Sequence, residues 1–266
     1  MVVPLLNTIR PYLGYNAINI VEPWFNSNYH ALQVAGQKRF GGDSSVSFSY
    51  TWSKNMTDNG SDRSNAPQNF YDRRADYAPA VFDRTHVFTL NGVYEIPFMK
   101  TQQGLTGKIL GGWQLSGIQY LNTGLPFTVS TTGTDNAALG ILGSSSAGFR
   151  PDNICDPTQG FTQTRLQYFN TACFANVPTT EHRLGTSGRS NVRGPGLIRT
   201  DLSISKNLRF GADQRFRFQL RGEATNVFNH SNPTGFGTAL STPTTFGVIT
   251  AYRDPRIIQL GAKFYF

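Results

Sequence analysis

Hydrophobic and polar side chains alternate with a period of two along seven stretches of this chain, the spacing of strands whose successive side chains point to opposite faces. The clearest is 44–54, SSVSFSYTWSK, where Val46, Phe48, Tyr50 and Trp52 share one face and Ser45, Ser47, Ser49, Thr51 and Ser53 the other. Six stretches fall into pairs with shorter connections, which predicts hairpins. Residues 29–40 and 44–54 are joined through Gly41, Gly42 and Asp43, and residues 199–210 and 214–228 through Gly211, Ala212 and Asp213. Residues 85–96 and 113–129 are joined by a stretch rich in Pro, Gly, Gln and Lys. The seventh, 256–266, sets Ile258, Leu260, Ala262, Phe264 and Phe266 against Ile257, Gln259, Gly261, Lys263 and Tyr265. Residues 17–21 (AINIV) offer an eighth strand.

Long stretches dominated by Gly, Ser, Thr, Asn, Pro and Arg separate the pairs, over 55–84, 130–198 and 229–255. In a compact soluble domain, structureless loops beyond ~15 residues count against the assignment. In an outer-membrane barrel, short periplasmic turns alternating with long extracellular loops are the rule, and strands are apolar outward and polar inward. A strand crosses the hydrocarbon layer in ~9–11 tilted residues, which most of these segments meet. Tyr29, Phe40, Trp52, Trp113, Phe127, Phe210, Phe228 and Phe266 stand near segment ends, where interfacial girdles belong. The pattern therefore predicts an all-β, antiparallel transmembrane β-barrel segment with long extracellular loops, located in the bacterial outer membrane. The alternative is a secreted or surface β-sandwich binding glycans or another protein, which would bury the apolar face.

Composition sharpens this picture. Only 15% of residues are charged, yet Asn, Ser and Thr number 66, and 13% are aromatic. The chain is polar without being charged, as a wet lumen requires, and too aromatic for disorder. No apolar run approaches the ~18 residues of a spanning helix. The net charge of +8 is spread over scattered basic residues without the stripe that nucleic acid demands, so no nucleic-acid partner is expected. Cys155 and Cys173 bracket part of the longest loop, as a single disulfide or as two unpaired thiols; with no second pair and no spaced histidines, no metal is expected. Asp72, Arg73, Arg74, Asp76, Asp83, Arg84 and His86 form the densest ionisable cluster, read as a loop held over a barrel mouth by Arg–carboxylate pairs rather than as a catalytic set. The segment 188–196, GRSNVRGPG, lacks a phosphate-loop pattern, and no GxSxG elbow occurs. The expectation is a protein that is not an enzyme and uses no cofactor. The first residues, MVVPLLNTIRPYLGYN, do not read as a signal peptide.

The ordered series NYHALQV (28–34), SYTWSK (49–54), FDRTHVF (82–88), GWQLSG (112–117), GLPFTV (124–129), GRSNVRGPG (188–196), TDLSISKN (200–207), RGEATNVFNH (221–230) and DPRIIQLGAKFYF (254–266) resembles the carboxyl-terminal part of Oar-like TonB-dependent outer-membrane receptors. That resemblance spans nearly the whole chain. It implies about seven or eight strands of a larger, 22-stranded barrel, with residues 1–266 its C-terminal part, residues 130–198 a long extracellular loop region, and Met1 an incidental start. The plug, the coupling box and the leading domain of such receptors are not in the sequence, so contact with the TonB system would run only through a plug outside this chain. The implied function is uptake of bulky nutrients such as carbohydrates, peptides or siderophores, with the substrate-binding residues unassigned. Resemblance further implies that the last strand carries the barrel-assembly signal, with Ile258, Leu260, Phe264 and Phe266 presented to the assembly machinery. Outer-membrane lipid and lipopolysaccharide are the expected surroundings, the latter met by Arg73, Arg74, Arg84, Arg150, Arg165, Arg183, Arg189 and Arg193 through bidentate phosphate contacts.

Overall fold

The structure, a computed structural model, describes residues 12, 23, 25–59, 67–69, 72–131, 149–211 and 215–266. Seven long strands, β1 (Ser27–Arg39), β2 (Ser45–Thr57), β3 (His86–Glu95), β4 (Trp113–Asn122), β5 (Leu197–Phe210), β6 (Phe216–Thr225) and β7 (Ile257–Tyr265), form one sheet in chain order. Every neighbouring pair is antiparallel, an up-and-down meander. Among the described residues the sheet stays open, with β1 at one edge and β7 at the other. Glycine permits the tight reversals at two turns, where Gly42 and Gly211 hold φ of 79° and 90°. The segment 17–21 lies outside the described residues.

The register fixes the two faces. Across one, Val34, Tyr50, Phe88, Leu121 and Ile198 form a continuous row, as do Tyr94, Leu115, Ile204, Gly222 and Leu260. Across the other run Ala35, Ser49, Thr89, Tyr120 and Arg199, then Glu95, Gln114, Ser205, Arg221 and Gly261. The apolar face is bare: Leu260 is 82% exposed, Leu32 55%, Trp52 51% and Ile204 47%. A sandwich would cover this face with a second sheet, and none lies on it among the described residues. Polar groups on this face find each other, Tyr50 Oη with His86 Nδ1 at 2.8 Å and the Thr200 hydroxyl donating to Gln119 Oε1. At the short-turn end Phe210, Phe216, Phe264 and Phe266 form a ladder of rings with centroids 5.9–6.3 Å apart. An apolar band flanked by such a girdle is what a bilayer selects.

Two expectations are corrected. The strand expected over 113–129 stops at Asn122, because the chain turns into the loops; Pro126–Phe127 pairs with Val192–Arg193 instead. Phe127 is consequently not an interfacial residue but packs on Phe236, centroids 4.5 Å apart. The connection 96–112, read as a turn, contains the helix α1 (Gly104–Leu110).

The three long connections are not structureless either. A 3-10 turn at Arg73–Asp76 precedes Ala78–Pro79, which pairs with β2. In the second connection Asp152–Asn153 pairs with Phe174–Ala175, and in the third Pro233–Phe236 pairs with Ile249–Tyr252. The buried hydrophobic core of the molecule lies here, not on the sheet: Val129, Phe169, Cys173, Phe174, Val192, Phe236 and Phe246 cluster with Phe127, Phe161, Tyr168 and Leu240 against them.

Candidate functional site

The polar face of the sheet divides into a part whose charged side chains, Arg39 and Glu95, lie at the short-turn end and a part charged along its length. Over β1–β4 it carries Gln33, Gln37, Ser47, Ser49, Thr51, Thr89, Asn91 and Ser116, with Ser47 Oγ donating to Asn91 Oδ1 at 2.6 Å. Over β5–β7 it carries Arg199, Asp201, Arg209, Arg217, Arg221, Glu223 and Lys263. Arg199 pairs with Asp201 at 2.8 Å and Arg221 with Glu223, and the Arg217 guanidinium lies 4.0 Å from the centre of the Tyr265 ring. Gln219, Arg221, Glu223, Gln259 and Lys263 line a concavity of about 240 Å³ on this part of the wall. Such a surface can offer hydroxyls and amides on one side and fixed positive charge on the other.

Over the long-loop end sits a cap assembled from all three long connections. Its apolar centre is aromatic: Phe169 packs edge-on against Phe174, Phe236 and Phe246 at 5.7, 5.8 and 5.2 Å. Cys155 and Cys173 are bonded, with Cα atoms 4.8 Å apart, and Cys173 is fully buried beside these rings. The link ties the residue two positions beyond Asp152–Asn153 to the 3-10 turn at Thr171–Cys173. Tyr168, half-buried against the cluster, has its hydroxyl pKa pushed up by that burial.

The ionisable cluster at 72–86 does not converge on one point. Asp72 caps the Arg73–Asp76 turn by accepting from the Arg74 amide. Asp76 is buried and paired with buried Arg150 at 2.5 Å, while its second oxygen accepts from the Gln68 amide at 2.9 Å. Arg150 Nε donates to the Ser187 carbonyl at 2.7 Å. Asp83 is buried, paired with Arg193 at 2.8 Å, and accepts from the Asn55 amide. Arg84 donates to the Thr123 carbonyl at 2.7 Å, and His86 turns to Tyr50 on the apolar face. Arg189 reaches the carbonyls of Asp76, Thr57 and Ala78, and burial lowers its pKa. Three arginines of the second connection thus staple the first, each with hydrogen bonds to carbonyl oxygens that fix its direction.

The remaining arginines are placed as follows. Arg183 grips Asp152 with two donors at 2.6 and 2.7 Å and also pairs with Glu181. Those bonds from Arg183 hold the Asp152 carboxyl below the usual carboxylate range. Arg165 lies over the Tyr252 ring. Ile258, Leu260, Phe264 and Phe266 all stand exposed on the apolar side of β7.

Two residues that the sequence pattern did not single out pin the third connection to β5. Asn226, at φ 50°, donates its backbone amide to Asp201 Oδ1 and accepts through its side chain from the His230 amide. Asn232 both accepts from the Ile198 amide and donates to its carbonyl, at 2.9 Å each, imitating a strand partner. Both are buried, and the visible hint was only that Asn tolerates left-handed turns.

The family described as outer membrane beta barrel domain matches residues 3–259. Neither a curated protein nor a solved structure matches the chain. The match places the protein in the bacterial outer membrane, and the bare apolar face is the one that meets lipid.

Proposed function

This chain belongs to the outer membrane beta barrel domain family, and from that premise we propose that it forms part of the barrel of a TonB-dependent receptor for uptake of bulky nutrients. The observation that carries this reading is the direction of the two edge strands. β1 and β7 are separated by an even number of antiparallel steps, so they run the same way. Closing one on the other would make a parallel seam, and bacterial outer-membrane barrels are antiparallel with an even strand count. A closed antiparallel barrel therefore needs at least one further strand between β7 and β1, and in the receptor reading it holds many more, which widens the lumen beyond a side-chain-filled tube. The wall facing that lumen is polar and partly cationic, suited to hydrated solutes. The cap over the long-loop end gives such a lumen a built entrance.

In this reading the protein is not an enzyme. Ile258, Leu260, Phe264 and Phe266 are the residues of β7 offered to the barrel assembly machinery, since an exposed amphipathic edge strand can pair with another sheet edge. Arg73 and Arg74 of the cap are the side chains offered to lipopolysaccharide. Buried Arg150 is committed to Asp76 instead.

The test is uptake by cells with and without the gene, using a maltooligosaccharide, an oligopeptide and a ferric siderophore, each with and without a protonophore. The expected result is gene-dependent accumulation of one probe that stops when the proton gradient is collapsed. Accumulation that persists under the protonophore, or no dependence on the gene for any probe, overturns the proposal.

A further inference from the structure

The β3–β4 connection holds a helix whose polarity is reversed. In water a short helix packed on a sheet turns its apolar side inward and its polar side outward. In α1 the inward position is Gly107, which is buried; a Cβ there would stand 2.9 Å from the Gln102 backbone. Outward stand Leu105, 77% exposed, and Ile109, 58% exposed, with Phe98 of the preceding turn 55% exposed. The only charged side chain of the helix is Lys108.

The helix sits at the short-turn end and against the lipid side of the sheet. Trp113 and Lys206, which face each other across β4 and β5, share the face of Leu115 and Ile204. The Trp113 indole donates to the Ile109 carbonyl at 3.1 Å. Lys206 Nζ donates to the carbonyls of Ile109 and Gly111 and lies 5.3 Å from the Trp113 ring centre. A lysine in the lipid-facing register is costly unless its charge is met, and here the carbonyl end of α1 meets it. Gly112, at φ 72°, makes the fold-back possible, since a Cβ would strike the Gln102 side chain and the Asn207 carbonyl.

We propose that α1 and Phe98 form a membrane foot, lying in the plane of the periplasmic leaflet with Leu105 and Ile109 among the acyl chains and Lys108 at the phosphate level. The occupant of this surface is phospholipid. The bonds from Trp113 and Lys206 to the Ile109 carbonyl tie the foot to the lipid-facing register of Leu115 and Ile204, and a helix of this kind settles about 5–10 Å into the headgroup boundary. Lys206 is then a positioning residue, its ammonium fixing the carbonyl end of α1 to the sheet.

The disulfide leaves no free thiol among the cysteines, so single-site labelling is direct. In the full protein reconstituted in phosphatidylethanolamine–phosphatidylglycerol vesicles, a bimane is attached at Leu105→Cys, with Ile109→Cys as the second foot position. Leu115→Cys serves as lipid reference and Gly41→Cys as aqueous reference. Acyl-chain-brominated lipids should quench the foot labels as strongly as the label at 115, and aqueous iodide should reach them far less than the label at 41. Foot labels that iodide quenches as fully as at 41, while 115 stays protected, overturn the inference. That outcome would leave the transport reading untouched, because the reference at 115 reports the barrel independently.

Discussion

The sheet and the cap of one chain obey opposite solvent rules. On the sheet, Leu32, Trp52, Ile204 and Leu260 stand bare, and cohesion comes from the antiparallel ladders and the lipid around them. In the cap, Val129, Phe169 and Phe236 are buried, carboxylates are matched to arginines, and a disulfide closes a segment of the second connection. The sheet therefore presents its apolar side outward, while the cap buries its apolar side chains around a small core of its own. A single hydrophobicity argument cannot describe both.

The largest expected effect breaks the cap alone. Asp76→Ala leaves Arg150 buried without its carboxylate, a change that costs about 3–5 kcal/mol when a buried partner is removed. Hydrogen exchange should show the amides of 149–196 opening together while β2–β6 stay protected. Replacing both members, Asp76→Leu with Arg150→Met, should recover most of the protection, because the penalty lies in the orphaned charge. Loss of protection in the strands as well would mean that the two regions fold as one unit.

Next in size is a pair of substitutions one residue apart. Ile204→Arg sets a charge on the lipid face beside Leu115 and Gly222, at a cost of about 2–4 kcal/mol near the bilayer midplane. Ser203→Arg points to the lumen opposite Glu223 and gives up the hydroxyl that accepts from Arg221 Nε, so it should cost about 1 kcal/mol. Urea titration in vesicles separates the two. Equal costs would show that the faces are not solvated differently.

The strands were readable because period two survives any irregularity of the loops. The serine file of β2 names its inner face outright, and β7 was visible for the same reason. The cap was not readable. Phe161, Phe169, Phe174, Phe236 and Phe246 recur with no fixed period, and what gathers them is the meeting of two connections in space. Arg–carboxylate pairing was foreseeable as a type, but the partners Asp76 with Arg150 and Asp83 with Arg193 lie 74 and 110 residues apart. No local signal spans that distance. Phe127 was misplaced because alternation runs on through LPFTV after the strand has ended. Helix α1 was missed because seven residues with two glycines give too little periodicity to register.

The smallest expected effect sharpens the contrast by pH. Asp152 is gripped by Arg183 at the edge of the cap, and those hydrogen bonds place its folded pKa below the usual value. For a carboxyl depressed by folding, the stabilisation is fully present above the unfolded value of about 3.9 and is lost as pH falls through the folded value. Acid should thus loosen the cap before the sheet, whose lipid-facing register carries no carboxylate. Pepsin, which works in this window, should cut the native cap faster as pH drops below the unfolded value. Arg183→Gln should cut faster already at the upper end of the window, with a flatter dependence on acid, because Asp152 then keeps only its bonds from Thr186 and its folded value lies closer to the unfolded one. The pair is half-open to water, so the shift should be smaller than either effect above. Identical acid profiles for the two proteins would assign the loosening to other carboxylates, with Asp156, held down by its bonds from Thr158, the next to replace.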